Sequence, residues 1–127
     1  MDIAEALEFI QQNKTGVLGT VGPDGAPHLV VIGVAVKDGT LLISTPSTTV
    51  KYRNIERDPR VSIVFGVRPW VGITGRARIL ADDLPARFRE YYRLAAGEHP
   101  DWDEFDAAMI TEQRILIEVT PERAYPS

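Results

Sequence analysis

Hydrophobic residues near the start of the chain follow a helical spacing first and a strand-like pattern afterwards. Asp2–Gln12 has apolar residues on one helical face, and Asp2 followed by Glu5 is typical of a helix start. Gly16–Gly22 and Pro27–Val36 are rich in β-branched residues, with a Pro-Asp-Gly turn between them. The pattern predicts one helix followed by a β-hairpin.

The next segment alternates between strand and helix signals. An Asp-Gly turn leads into the apolar run Leu41–Ser44, so the strands up to this point are predicted to form a three-stranded meander. Val50–Arg57 has a helical pattern that Asp58-Pro59 would end, and Arg60–Val67 is again β-branched and aromatic.

The second half of the chain repeats these signals. Strand patterns occur in Trp70–Ala81 and Arg114–Val119, and helical patterns in Leu84–Ala95 and Trp102–Met109. Alternation along the first of these strands divides it into an apolar face and a mixed aromatic and basic face that begins at Trp70. That second face is either the wall of an anionic pocket or a solvated surface.

Many short strands and few helices predict a mainly β (α+β) barrel, closed or nearly closed, in a single domain over residues 1–127. Val30–Ile32 and Val61–Phe65 are apolar on both faces, and a strand of that kind needs cover on both sides. The helices are too few to supply all of it. We therefore expect a second subunit to cover much of the outer face.

Composition narrows the possible functions. The 127 residues are 44% hydrophobic and 25% charged with a net charge of −4, which gives no indication of nucleic-acid binding. The chain has no cysteine, so disulfides, thiolate chemistry and the usual zinc sites are excluded, and this fits a cytoplasmic protein. No signal peptide or membrane-spanning stretch is predicted. The two histidines have no acidic neighbours in a ligand pattern, so no metal site is expected.

Candidate chemistry is concentrated where the predicted helix Val50–Arg57 begins. A hydroxyl-rich stretch, Thr45–Thr49, precedes the helix, and Lys51 lies in its first turn. Free N–H groups at a helix start, hydroxyls and an ammonium together suit a bound phosphate. The alternative is that Ser47, Thr48 or Thr49 is an ordinary helix cap and Lys51 is solvated. Asn54, one turn later, is expected to hydrogen-bond a neighbouring strand.

Three stretches of the chain carry a resemblance to a known family. They are GVLGTVGPDGAPHLVVIGVAV, VKYRNIERDPRVSI and YYRLAAGEHPDWDEFDAAMITEQRILIEV, which together span nearly the whole sequence. The chain resembles the flavin/deazaflavin oxidoreductases of group B, the F420-dependent branch of the pyridoxamine 5'-phosphate oxidase-like split β-barrel superfamily. The lysine–asparagine pair followed by Asp-Pro-Arg-Val is specific to the superfamily, and Ala-Gly-Glu-His-Pro-Asp-Trp points to the deazaflavin branch.

The resemblance implies a split β-barrel of the FMN-binding type with a few peripheral helices, forming a homodimer with cofactor sites at the interface. It implies hydride transfer between reduced coenzyme F420 and a small unsaturated or carbonyl-conjugated substrate. One alternative is an FMN-dependent enzyme of the same fold. Another is a non-catalytic flavin- or F420-binding carrier protein.

The resemblance also implies roles for particular residues. Lys51, assisted by Thr48 and Thr49, would hold the cofactor phosphate, and Trp70 would shape the pocket. The ring system would lie along one strand and beside the end of another, at Val30, Val31, Ile32 and Gly33 and at Thr45, Pro46 and Ser47. Relatives often carry an arginine where this chain has Thr49, and ring-binding polar residues where it has Val31 and Gly33. No catalytic residue is assigned. The candidates for holding a polyglutamate tail are Arg57, Arg60, Arg76 and Arg78.

Overall fold

The computed structural model describes residues 1–126, which form four helices and seven antiparallel strands. The helices are α1 (Ile3–Gln12), α2 (Val50–Arg57), α3 (Leu84–Ala96) and α4 (Trp102–Thr111). The strands are β1 (Thr15–Val21), β2 (Pro27–Gly33), β3 (Ala35–Lys37), β4 (Thr40–Pro46), β5 (Arg60–Gly66), β6 (Trp70–Leu80) and β7 (Arg114–Tyr125).

The strands form one sheet in the order β2-β1-β5-β6-β7-β4-β3, which curls around the main core as a half-barrel. Alternate residues of each strand point inward, and Leu18, Ile63, Ile73 and Ile117 are among the fully or almost fully buried ones. This confirms the predicted split β-barrel with peripheral helices.

The predicted three-stranded meander is wrong. The segment Pro27–Val36 is interrupted at Val34, so it supplies two strands, β2 and β3. β2 pairs only with β1, and β3 pairs only with β4, so these two strands form opposite edges of the sheet. Hydrophobic periodicity identified the strand residues but carries no information on where the chain leaves one edge for the other.

The sheet opens between β2 and β4. The β3–β4 register pairs Ala35 with Leu42, so its continuation would set Gly33 opposite Ser44. Gly33 pairs instead with Thr15 on β1, and Ser44 pairs with Leu116 on β7. The chain turns away at Val34, whose N–H donates to the Lys14 carbonyl at 2.9 Å. Gly33 and Ser44 therefore lie on the two sides of the opening.

Two helices pack against the main core. Helix α1 begins at Asp2, whose carboxylate accepts the Glu5 N–H at 2.8 Å as predicted, and it buries Ala6 and Ile10 completely. Helix α2 packs on β1 and β6. The buried Asn54 of this helix donates to the Thr20 hydroxyl of β1 at 3.0 Å, which confirms the expected helix-to-strand hydrogen bond.

Helices α3 and α4 cover the outer face of β3, β4 and β7 with a second, smaller core. Leu42, Leu80 and Leu116 point outward from the sheet and pack against Phe88 of α3 and Phe105 of α4. A bidentate ion pair holds the two helices together, with Arg89 donating to Asp106 at 3.1 and 2.6 Å.

The outer face of β2, β1, β5 and β6 has no helix over it within residues 1–126. Leu29 and Val31 are 66% and 68% exposed, and Val64 and Trp70 are exposed on the same face. Val17 of β1 lies between Val31 and Val64 in the strand register, so these side chains form a continuous apolar surface. An exposed patch of this kind marks an interaction surface.

Strand β7 extends six residues beyond its predicted end at Val119, to Tyr125. Its register against β6 shifts between Thr74 and Gly75, and a Cβ at Gly75 would overlap the Thr120 carbonyl. The bulge disrupts the alternation that marks a strand in sequence. That residues 1–127 form one domain stays a prediction, and Ser127 lies outside the described residues. Over residues 1–126, no helix has the length and apolar character needed to span a membrane.

Candidate functional site

The edge of β4 that lies beyond its pairing with β3 faces the opening of the sheet. The Ser47 N–H donates to the Gln113 carbonyl at 2.8 Å, which sets the alternation of the β4–β7 ladder. By that alternation, the backbone groups of Ser44 and Pro46 point away from β7 and towards the opening of the sheet. The Pro46 carbonyl accepts the Thr49 hydroxyl at 3.0 Å, so part of this edge is satisfied locally.

Arg114, the first residue of β7, reaches the same edge. It lies opposite Pro46 in register, and its Nη1 donates to the carbonyl and hydroxyl oxygens of Ser44 at 3.4 and 3.3 Å. Its Nε donates to Glu112 at 2.8 Å. Tyr91 of α3 is also here, and its pKa is raised by burial, an effect opposed by the backbone hydrogen bond from Ser44 and by the charge of Arg114.

Lys51 lies near Arg114. Burial lowers the pKa of Lys51, and the positive charge of Arg114 lowers it further. No carboxylate within residues 1–126 forms an ion pair with Lys51, whereas Arg114 is paired with Glu112. Two cations held together at a partly buried position leave an excess of positive charge, which an anion would relieve.

The start of α2 offers N–H donors beside these cations. Thr49 occupies the N-cap position, but its hydroxyl makes no cap hydrogen bond and instead contacts Pro46 and Thr45. The expectation that a hydroxyl of this stretch caps the helix is therefore wrong. Within residues 1–126, the N–H groups of Val50, Lys51 and Tyr52 have no backbone or side-chain acceptor. The start of the helix is thus free to receive an external acceptor.

Strand β2 presents backbone groups on the other side of the opening. The Gly22 N–H donates to Ala26 at 2.8 Å in the β1–β2 hairpin, so alternation leaves the N–H and C=O groups of Leu29, Val31 and Gly33 facing away from β1. Val30 and Ile32 bond to β1 and turn their side chains inward. Of the predicted ring-binding residues on β2, Val31 and Gly33 are thus the two with free edge groups.

The remaining predicted site residues divide between this region and another part of the fold. Ser47 and Thr48 lie in the loop before α2. The Thr45 side chain is buried in the interior, where its hydroxyl lies 3.3 Å from that of Thr49. Trp70 starts β6, and Ala77 of the same strand lies near α2, with its N–H bonded to Pro59. Those seven residues span about 23 Å, so Trp70 lies far along β6 from the end of α2.

The structure places three of the four arginines suggested for a polyglutamate tail on one face. Arg60 and Arg76 are directly opposite each other on β5 and β6, and Arg78 follows two residues later. Each is paired with a carboxylate, so none is a free cation within residues 1–126. The partners are Asp58 for Arg60 at 2.7 Å, Glu122 for Arg76 at 3.7 Å and Glu118 for Arg78 at 2.8 Å.

Sequence analysis missed Arg114 and Tyr91. Both are far from Lys51 along the chain, and neither belongs to a motif that indicates anion binding. Only the pairing of β7 with β4 and the packing of α3 bring them to Ser44. Within residues 1–126, no group of three or more histidine, cysteine, aspartate or glutamate side chains is placed to hold a metal ion.

The curled antiparallel sheet with an opening between β2 and β4 defines a split β-barrel protein. A comparison with protein families identifies which family of split β-barrel proteins this is. The model of the pyridoxamine 5'-phosphate oxidase family matches residues 3–127 of the chain. The chain belongs to this family, which confirms the superfamily indicated by its three sequence stretches.

Individual relatives agree with this assignment. The chain is 25% identical over 132 residues to an F420H2-dependent biliverdin reductase of Mycobacterium tuberculosis, covering 97% of this chain and 86% of that protein. It is 28% identical, with a TM-score of 0.79, to a conserved hypothetical protein of the same organism, covering 98% and 82% of the two chains. A structure described as an F420 reductase, 22% identical with a TM-score of 0.70 and coverages of 93% and 94%, shares the fold.

Proposed function

We propose that this protein is an F420-dependent oxidoreductase that transfers a hydride between the reduced deazaflavin and a small unsaturated or carbonyl-conjugated substrate. The observation that carries the proposal is the pair of cations, Lys51 and Arg114, at the open edge of β4. The similarity to an F420H2-dependent reductase over 97% of the chain supports the choice of cofactor.

The cofactor phosphate fits the chemistry at the start of α2. An ammonium, a guanidinium and free helix N–H groups are the donors that hold phosphate in proteins. Relatives often carry an arginine at the position of Thr49. In this chain Arg114, which lies on another strand, would supply a cation near that position. Thr48 and Ser47 would complete the rim of the phosphate site.

The ring of the cofactor fits the opening between β2 and β4. Free backbone groups of Val31 and Gly33 face it from one side, and Ser44, whose carbonyl accepts from Arg114, lies on the other. Free backbone N–H and C=O groups at a strand edge can hydrogen-bond a heterocycle. The site needs such groups because residues 30–33 have no polar side chains. The deazaflavin supplies the hydride chemistry. The protein orients the ring and keeps water away from it.

A homodimer would complete the site. The uncovered outer face with Leu29, Val31, Val64 and Trp70 has the apolar character of a subunit interface, and it adjoins β2 at the opening. A second copy packed there would close one side of the ring site. In this proposal the protein acts in the cytoplasm on a small-molecule substrate.

Two other functions fit the same site. An FMN-dependent enzyme would use the same phosphate donors, and the pairing of Arg60, Arg76 and Arg78 with carboxylates leaves no free basic groove for a polyglutamate tail among them. A non-catalytic carrier would hold the cofactor without turnover. The absence of polar side chains at Val31 and Gly33 is the observation that favours a carrier.

Two measurements separate these functions. Parallel fluorescence titrations with F420 and FMN should give the tighter binding to F420, and FMN binding of equal or greater strength would assign the chain to the FMN-dependent class. Oxidation of reduced F420 should then be followed with a panel of enones, with Lys51→Ala as the control that lacks the phosphate cation. Tight F420 binding without turnover of any enone would identify a carrier.

A further inference from the structure

A cavity of about 480 Å³ lies between α3 and α4 and shares Ser47 and Arg114 with the candidate phosphate site. Leu84, Pro85 and Phe88 from the first turns of α3 form one wall, and Met109 and Ile110 from the last turns of α4 form the other. A cavity of this size with a mainly apolar wall is typical of a small-molecule site.

The floor of the cavity is polar and contains a cation, Arg114. It is formed by Ser47, Gln113 and Arg114. Asp106 is the one carboxylate in the lining within residues 1–126, and Arg89 neutralises it with two hydrogen bonds of 3.1 and 2.6 Å. Arg114 pairs with Glu112 through its Nε, and Lys51, which does not line the cavity, adds a positive charge nearby.

The floor is also held in place. Gln113 follows Glu112, the C-cap of α4, and has a φ of 55°, the left-handed conformation with which helices commonly end. Its carbonyl accepts the Ser47 N–H at 2.8 Å, which ties the loop after β4 to the start of β7.

We propose that this cavity binds a small amphiphilic carboxylate, with its apolar body between α3 and α4 and its carboxylate on Arg114. The charge at the floor distinguishes this ligand from a neutral apolar one, and the apolar walls distinguish it from a simple anion such as phosphate. The carboxylate would share Arg114 with the cofactor phosphate of the proposed function. The walls of the cavity belong to α3 and α4, so binding of the carboxylate can be measured without F420.

The chain contains only two methionines, Met1 and Met109, and this makes a direct test possible. Protein labelled with ¹³C at the methionine methyl groups gives one signal from the cavity and one from the N-terminus. Octanoate should shift the Met109 signal saturably and leave the Met1 signal unchanged. Octan-1-ol and octylammonium, of equal chain length, should bind at least about tenfold more weakly, because they cannot form a charge-assisted pair with Arg114.

Variants locate the binding. Arg114→Gln should weaken octanoate binding about tenfold or more. Because Arg114 also bonds to Ser44, a second pair of variants tests the site without it: Ile110, 76% exposed at the mouth, can be changed to Glu or to Gln. Ile110→Glu should weaken octanoate binding roughly fivefold relative to Ile110→Gln by charge repulsion. Leu94→Glu adds the same charge at an exposed position of α3 outside the cavity and should have no effect.

Three results would overturn the proposal. The first is the absence of a saturable shift at Met109 in the folded wild-type protein. The second is equal binding of octanoate, octan-1-ol and octylammonium, which would make the cavity an apolar site without anion recognition. The third is equal weakening by Ile110→Glu and Leu94→Glu, which would mean that only the net charge matters. All three measurements are made without F420, so failure of this proposal is distinguished from failure of the cofactor proposal, which the F420 titrations test.

Discussion

Arg114 donates from one nitrogen to both oxygens of Ser44, the carbonyl at 3.4 Å and the hydroxyl at 3.3 Å. Ser44 lies where the sheet opens, and Arg114 begins the neighbouring strand. The contact therefore places the positive charge of Arg114 at the unpaired edge of β4, beside Lys51. A residue seventy positions from Ser44 in sequence thus becomes part of the candidate phosphate site.

Removal of the Lys51 ammonium should weaken cofactor binding. A charge-assisted hydrogen bond to phosphate contributes about 1.5–3 kcal/mol, so Lys51→Ala should raise the dissociation constant of F420 roughly ten- to a hundredfold. Fluorescence titration measures this, with Lys37→Ala as the control, because Lys37 is paired with Glu90. Salt should also weaken binding to Lys51→Ala less than binding to the wild type. An unchanged dissociation constant in the folded variant would place the phosphate elsewhere, with Arg76 and Arg78 as the next candidates.

Cofactor affinity should begin to fall at a lower alkaline pH than it would if Lys51 had the pKa of an ordinary lysine. In the protein without cofactor, burial and the charge of Arg114 lower the pKa of Lys51 below 10.5. A bound phosphate favours the charged form of this lysine and so raises its pKa. Binding therefore takes up a proton once the pH exceeds the free-protein pKa, and the affinity declines as the pH rises through that value. Titrations from neutral pH to 10.5 should show this decline in the wild type and not in Lys51→Arg. A flat profile in the wild type would contradict a role for Lys51.

The Asn54–Thr20 hydrogen bond should contribute measurably to stability. Both side chains are buried, 2% and 1% exposed, so Asn54→Ala leaves the Thr20 hydroxyl without this partner and also removes the acceptor of two hydrogen bonds from Arg57. It should lower the free energy of unfolding by about 1–3 kcal/mol. Arg53→Ala, on the exposed side of the same helix, is the control and should change it by less than about 0.5 kcal/mol. Denaturant unfolding measures both. Equal effects in the two variants would show that the hydrogen bond contributes nothing net.

The uncovered outer face should mediate dimerisation. Val31→Lys places a charge in the middle of the apolar surface, which should convert a dimer to a monomer because a buried unpaired ammonium is costly. Light scattering at micromolar concentration is the measurement. Leu94→Lys makes an equivalent change on α3, away from the surface, and should leave the dimer intact. A wild-type protein that is monomeric under these conditions would refute the proposed interface.

Local chemistry of the sequence determined the elements and much of the site's position. The bounds of α2, Val50–Arg57, followed from its pattern and from the Asp58-Pro59 stop, because these signals act over a few residues. The same holds for the Asp2 cap of α1 and for the alternation that directs Trp70 outward on β6. The motif around Lys51 and Asn54 identified the superfamily. The buried hydrogen bond from Asn54 to Thr20 shows that this asparagine of the motif has a structural role.

Tertiary structure alone decided which strands meet. The break at Val34 follows Gly33, and a glycine inside a strand pattern indicates an irregularity. It does not indicate that β2 and β3 form opposite edges of the sheet. The same pairing places Ser44 on the opening and Arg114 beside it. Periodicity reports only whether a side chain faces the core, while strand order depends on how the whole apolar surface is buried. The charge of the candidate phosphate site, shared by Lys51 and Arg114, is therefore a property of the fold.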